Sequence, residues 1–409
     1  MKRLALVTSL SLPALAACGS ADAPALDGTS DGTEEGDPGE LCDIPDPVLA
    51  ALLRAELGLD AGAPIPVSRA LELDDIGFAA EVTGMVSLEG LSCARNVGGI
   101  YFDGASVEDV AELAELPVLD IVHLDGSNLR DLSPLAGSAS LFTLKVADNQ
   151  LTSTSSIHDL PNLANLDLSG NPFDGLEGLE GLGGVRSFRI ERTGVSDLSA
   201  LSKFPQLNFF TAASAAVKSV ESIPSHPSLE IVDLSGNQIT QLDGFVGTSL
   251  PQLVSLDISG NPLTSLAGLE ALVSLTSLTM NDTGLADLSP LANLGTPLTV
   301  ITARGNGITD LSPVAAARHL DLSDNAISDL SPLVAAQSVG TLYLSNNAIT
   351  DGSPLLGIDF EVCARVRFDG NPMQNQASIE EALCAADIEV EGVCLPLACD
   401  PCPGDGDCG

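Results

Sequence analysis

"LANLDLSGNPF" (163–173) sets Leu163, Leu166 and Leu168 at intervals of three and two, turns through Ser169-Gly170, and closes on Asn171-Pro172-Phe173. Near copies stand at 229–239 ("LEIVDLSGNQI"), 253–263 ("LVSLDISGNPL") and 319–327 ("HLDLSDNAI"). Written as LxxLxLxxNxL, the pattern places its fourth position on Ile100, Val122, Leu144, Leu166, Phe188, Phe210, Val232, Leu256, Leu278, Ile301, Leu320, Leu342 and Val366. The step between these residues is 22, apart from two intervals of 24, one of 23 and one of 19. A fixed period of this size means stacked supersecondary units, and it takes precedence over any other fold assignment.

The apolar residues at positions 4 and 6 alternate with polar ones, so each LxL predicts a short strand with one buried face. Asn follows at position 9 in eight units: Asn149, Asn171, Asn237, Asn261, Asn306, Asn325, Asn347 and Asn371. Its amide can satisfy backbone groups of adjoining coils. Ala105, Ser127, Thr193, Ala215 and Thr283 replace it elsewhere, and the ladder is expected to be weaker there, most of all at Ala215. "DLSPL" (131–135, 287–291, 329–333) and "DLSPV" (310–314) predict a tight turn or single helical turn, with Pro fixing the first φ and Ser or Asp as cap. No unit buries its leucines alone; stacking makes the core.

This is the pattern of the leucine-rich repeat family, and the 22-residue unit with "DLSPL" resembles its internalin-like subclass. The resemblance spans about residues 42–396 and implies an α/β repeat solenoid, a horseshoe or arc. A parallel β-sheet would line the concave face, with short 3-10 or irregular turns on the convex one. "IPDPVLAALLRAELG" (44–58), "IPVSRALELDDI" (65–76) and "GMVSLEGL" (84–91) are similar to the helical N-terminal cap of that subclass. "GNPMQNQASIEEALCAADIEVEGVC" (370–394) resembles the helix-containing C-terminal cap of related secreted proteins. No immunoglobulin-like module, LPxTG-type anchor or surface-layer repeat motif accompanies the repeats, so the host attachment mode of those internalins is not carried over.

The N-terminus reads differently. "MKRLALVTSLSLPALAACGS" (1–20) has a basic start, an apolar stretch and "LAAC" ending at Cys18. It resembles the lipobox of bacterial lipoproteins, which implies a signal peptide over 1–17 and lipidation of Cys18; the alternative is an ordinary secretory signal with a chance cysteine. The apolar stretch is too short for a transmembrane helix. Gly19 stands where Asp would favour inner-membrane retention in enteric bacteria, so an outer-membrane anchor is expected. Residues 18–41, with seven acidic residues and none basic, read as a flexible tether. A cap over 42–96, about thirteen repeats over 97–371, a second cap over 372–396 and a Cys-rich tail over 397–409 complete the organisation.

The chain carries 56 acidic and 16 basic residues, a net charge of −40. That balance argues against nucleic acid, and against a membrane contact other than the lipid anchor; a monomer is expected. Eight cysteines remain after Cys18, an even number suited to an oxidising compartment. Cys42 with Cys93 would staple the N-cap to the first coil, and Cys363 with Cys384 or Cys394 would tie the last strand to the capping helix, the choice left open. Cys399, Cys402 and Cys408 lie in the tail, where "CDPC" lacks the context of a redox or zinc site. The four histidines lie in different coils and no catalytic motif appears. No enzyme activity, metal or cofactor is expected.

That leaves the exposed strand face, the usual binding surface of a solenoid. It holds Lys145, Arg186, Arg189, Arg192, Arg304, Arg318, Arg365 and Arg367, where even scatter would place about two cations. Lys145, Asp167 and Arg189 occupy one position in consecutive coils, a ladder of alternating charge. Arg186 and Arg192 have no such neighbours. Tyr101, Ile121, His123, Phe142 and Phe209 lie close by, and Arg with aromatic residues is the composition of interface hot spots. Tyr343, Arg365 and Arg367 form a second candidate patch near the C-cap. The expected function is a non-catalytic module binding a protein or peptide on this face. A structural envelope spacer is the alternative, and a glycan-binding module a weaker one given the few exposed aromatic residues.

Overall fold

The computed structural model describes residues 39–77, 82–336 and 338–394. Residues 1–38, including Cys18 and most of the acidic segment, and the tail cysteines Cys399, Cys402 and Cys408 lie outside them. Two strands, β1 (Leu41–Cys42) and β2 (Ile65–Pro66), pair antiparallel around helix α1 (Pro47–Glu56), and helix α2 (Val67–Ala70) follows. The sheet then begins with β3 (Asp75–Ile76), β4 (Gly99–Tyr101), β5 (Ile121–His123), β6 (Thr143–Lys145), β7 (Asn165–Asp167), β8 (Ser187–Arg189) and β9 (Phe209–Thr211). It continues with β10 (Ile231–Asp233), β11 (Ser255–Asp257), β12 (Ser277–Thr279), β13 (Val300–Thr302), β14 (His319–Asp321), β15 (Val339–Tyr343), β16 (Phe360–Arg367) and β17 (Glu389–Val390), the last after helix α3 (Gln376–Ala385).

These fifteen strands form one sheet in strict chain order, each parallel to the next. The position-4 residues pair in register from Ile100 with Val122 to Leu342 with Val366, so the solenoid predicted from the repeat is the fold. Each cap adds one strand to the sheet. Both edge strands are two residues long, which leaves little unpaired edge for another chain to extend. Single 3-10 turns lie opposite the strands, as at Ser133–Leu135 and Ser199–Lys203. A single apolar cluster runs from Leu49 to Val390, with Phe188 packed against Phe204 and Phe210 at ring separations of 5.0 and 6.0 Å.

The Asn ladder works between coils. Asn237 Oδ1 accepts Val217 N–H of the preceding coil (3.0 Å), while its Nδ2 donates to Ala212 O (2.8 Å) and Leu234 O (2.9 Å). Asn149, Asn171, Asn261 and Asn347 repeat this arrangement. Of the substitutes, Thr193 still donates to Ile190 O at 2.8 Å, whereas the buried Ser127 hydroxyl has no partner among the described residues and Ala215 has nothing to offer. In the "DLSP" turns the Asp is the capping group: Ser133 N–H donates to Asp131 Oδ1 at 2.9 Å, and the same bond recurs at Asp287, Asp310 and Asp329 and, in the variant "DGSP" (351–354), at Asp351.

At the N-cap, the buried Asp46 holds α1. One carboxylate oxygen accepts Val48 and Leu49 N–H, the other Val86 and Ser87 N–H. Cys42 is bonded to Cys93, as expected. At the other end the expected pairing of Cys363 is corrected: Cys384 is bonded to Cys394. Cys384 lies in the last turn of α3, and the chain returns through β17 to bring Cys394 beside it, with Cα atoms 6.1 Å apart. Cys363 is disulfide-bonded too, but it stands in a bulge of β16, between the Val339–Phe360 and Thr341–Arg365 pairings.

Candidate functional site

The strand register assembles the N-terminal half of the sheet face into lateral rows. Tyr101, His123, Lys145, Asp167, Arg189 and Thr211 form one row across β4–β9. Phe142, Ala164 and Arg186 form another beside it, joined by Ala164 N–H to Phe142 O and Arg186 N–H to Ala164 O, both 2.8 Å. A groove of about 540 Å³ lies over β4–β8, lined among others by Tyr101, Ile121, His123, Asp125, Lys145 and Arg189. Phe142, 48% exposed, stands outside that lining, as does Arg186.

The Tyr101 and His123 rings meet edge to face at 4.9 Å; burial, then the Lys145 charge, lowers the His123 pKa. Burial raises that of Tyr101, with Asp75 and Asp120 adding to it. Asp125 is pushed up to about 6, chiefly by burial and further by Asp103 and Asp167, although it accepts Ala147 N–H at 2.7 Å. Arg189 lies over the Phe209 ring, 4.5 Å from its centroid, a cation–π contact.

The charge ladder expected along this row does not form. Lys145, Asp167 and Arg189 are register neighbours, yet among the described residues no ion pair joins them. Asp167 accepts Ser169 N–H at 3.0 Å, and Arg189 prefers Phe209 and, at 4.0 Å, Glu191. Arg192, expected to be unpaired, is instead bound to Asp148 two coils away, at 2.9 and 3.1 Å. Sequence adjacency could not show this, because the pair skips the intervening coil.

The arginines of the C-terminal candidate patch are built into ion pairs. Arg365 pairs with Glu389 at 3.2 Å, and Arg367 with Asp369 at 3.0 Å and Glu391 at 3.6 Å. These arginines tie the last repeat to its cap, beside Tyr343. Arg318 is held by Glu361 (2.7 Å) and Arg304 by Asp324 (3.1 Å). Lys145 and Arg186 are left with no side-chain hydrogen bond or ion pair among the described residues. A larger hollow of about 650 Å³ opens near Val86, Glu108, Asp109 and Glu112; it lies off the sheet, lined by carboxylates and without a cation. Among the described residues no cluster of His, Cys, Asp and Glu is placed to hold a metal ion.

Comparison with known proteins matches this geometry. A family model described as Leucine Rich repeats (2 copies) matches residues 227–271 and 251–293, and one described as Leucine Rich repeat matches 318–330. No curated protein matches the sequence. Among solved structures, an internalin (InlF) of Listeria monocytogenes superposes with TM-score 0.61 at 22% identity, covering 81% of this chain and 91% of the other. A leucine-rich repeat protein of Leptospira interrogans gives 0.63 at 18% identity, covering 76% and 82%. The ectodomain of the receptor kinase GASSHO1/SCHENGEN3 of Arabidopsis thaliana, solved in complex with Casparian strip integrity factor 2, gives 0.56 at 17%, covering 76% and 40%. The chain thus carries leucine-rich repeat sequence over 227–293 and 318–330 and has the solenoid fold of the internalin it resembles.

Proposed function

We propose that the sheet face over β4–β9 binds a protein or peptide, and that the chain is a non-catalytic lipoprotein of the bacterial cell envelope. In this reading Cys18 is acylated, 18–41 is the tether and the anchor lies in the outer membrane. The observation that carries the binding role is the contrast between the two halves of the face. Over β4–β9 aromatic and apolar side chains adjoin Lys145 and Arg186, which hold no carboxylate among the described residues, the composition of a contact surface. Towards the C-cap each sheet-face arginine is spent on a neighbouring carboxylate, which suits a structural, spacer-like role for that half. The Arabidopsis receptor is a precedent for a solenoid of this fold held in a complex. Lipidation is supported by the "LAAC" sequence alone.

Two experiments test the reading. Site-specific photo-crosslinking from Ile121 in living cells should give a discrete protein adduct, and none should form from Thr279 in the middle of the sheet. Palmitate labelling should require Cys18; a Cys18→Ala protein that remains membrane-bound contradicts the anchor.

A further inference from the structure

Six of the eight sheet-face cations are engaged by groups of this chain. Arg192, Arg304, Arg318, Arg365 and Arg367 hold carboxylates, and Arg189 lies over Phe209. Lys145 and Arg186 are the two left over, in a chain with 56 carboxylates. Their places are related. β6 and β8 are separated by one strand, and Arg186 precedes the Lys145 row by three residues, so their Cα atoms are about 14 Å apart on a diagonal. Long side chains of that reach can bring both charged heads over the uncharged Asn165 and Ser187 between them. Asn165 is turned to Thr143 Oγ1 at 3.1 Å; Asp167, which accepts Ser169 N–H, and Asp125, which interacts with Lys145 across the groove, lie on the Lys145 side, but among the described residues neither closes an ion pair with Lys145 or Arg186.

We infer that this face takes an extended polypeptide segment bearing an acidic side chain, its carboxylate seated between Lys145 and Arg186. The inference rests on the reading of the β4–β9 face as a binding surface, and it names the chemistry recognised there. A carboxylate shared by an ammonium and a guanidinium makes charge-assisted hydrogen bonds to both, the guanidinium giving the directional one. Phe142 and the Arg189–Phe209 pair flank the seat, so apolar side chains next to the acid have surface to cover. The field of the whole molecule, with net charge −40, draws in basic or neutral partners and repels acidic ones. The segment is therefore a local acidic feature of a partner that is not acidic overall.

The test is a random dodecapeptide library selected against the full chain at physiological salt. Peptides displayed through their C-termini offer side-chain carboxylates only. Enriched peptides should share an Asp or Glu beside an aromatic or aliphatic residue. A synthetic peptide of that sequence should lose about tenfold or more in affinity when its acid is changed to the amide, and about 30-fold on Lys145→Glu with Arg186→Glu. Lys145→Gln with Arg186→Gln should shift it in the same direction, and Lys218→Glu, a reversal off the sheet, by less than about twofold. Peptides that need the groove, as judged by Ile121→Arg, but tolerate loss of the acid or of both cations overturn the carboxylate seat and leave the binding face standing. Failure to enrich any peptide, or enrichment of peptides indifferent to all these changes, overturns the face and the seat together.

Discussion

Arg192 reaches over an entire coil to hold Asp148, and the coil it crosses presents Gly170 beneath the bridge. A methyl group at Gly170 would overlap the Asp148 carboxylate and come within 3.2 Å of Arg192 Nη2. All three residues occupy the position where the chain turns out of the strand with positive φ (53° for Asp148, 68° for Gly170, 54° for Arg192). Gly170→Ala is therefore expected to cost about 1–2 kcal/mol, from left-handed backbone strain and the displaced bridge. Arg192→Ala should cost about 1 kcal/mol or less, since the pair is half exposed. Urea unfolding of both variants checks the order.

Asn237→Ala removes an acceptor from Val217 N–H and donors from Ala212 O and Leu234 O. Leaving such buried backbone groups unsatisfied should lower stability by about 2–3 kcal/mol. The reverse change, Ala215→Asn, supplies a missing rung and should raise stability by about 0.5–1 kcal/mol. Both are read from equilibrium unfolding.

The pH dependence has two limbs. Asp131, Asp287, Asp310, Asp329 and Asp351 are held below the ordinary value of 3.8, first by the hydroxyls of the Ser residues that follow them and then by their backbone N–H groups. Depressed carboxylates contribute stability above their unfolded pKa and lose it as pH falls through the folded one. Asp125, raised to about 6 by burial, costs stability above that value, and the cost is relieved as pH falls from about 6 towards 4. Thermal stability is expected to peak between about pH 4 and 6. Asp125→Asn should flatten the upper limb and stabilise the protein at pH 7 by about 1 kcal/mol, after allowance for its partial exposure. A Tm series from pH 3 to 8 on both proteins is the measurement.

Replacing Cys42 and Cys93 together by Ser should loosen the N-cap without unfolding the coils beyond it, because each coil is stabilised mainly by its neighbours. Hydrogen exchange should quicken over α1 and remain slow over β10–β13. Uniform loss of protection would contradict this.

The fold was legible because a 22-residue period with alternating apolar positions leaves one stacking solution, and every register pair from Ile100 to Val366 follows from it. Position-9 Asn and the "DLSP" Asp could be read the same way, being local and repeated. The site was legible only as a composition. Whether Arg189 meets Asp167 or Phe209 depends on diagonal reach across the sheet, and the Arg192–Asp148 bridge skips a coil. The pairing of Cys384 with Cys394 depends on how the chain returns after α3, which spacing does not specify. The ion pairs of Arg365 with Glu389 and of Arg367 with Glu391 could not be read, because those glutamates lie in the cap, which carries no repeat signature.

The central claim, that the β4–β9 face is a contact surface, is tested most directly by photo-crosslinking in cells from Ile121, in the native chain and in the Lys145→Glu, Arg186→Glu variant. A discrete adduct in the native chain that disappears in the folded variant is the predicted result. No adduct in the native chain would contradict it, whereas an adduct of equal yield in both would leave the face standing and overturn only the Lys145–Arg186 seat.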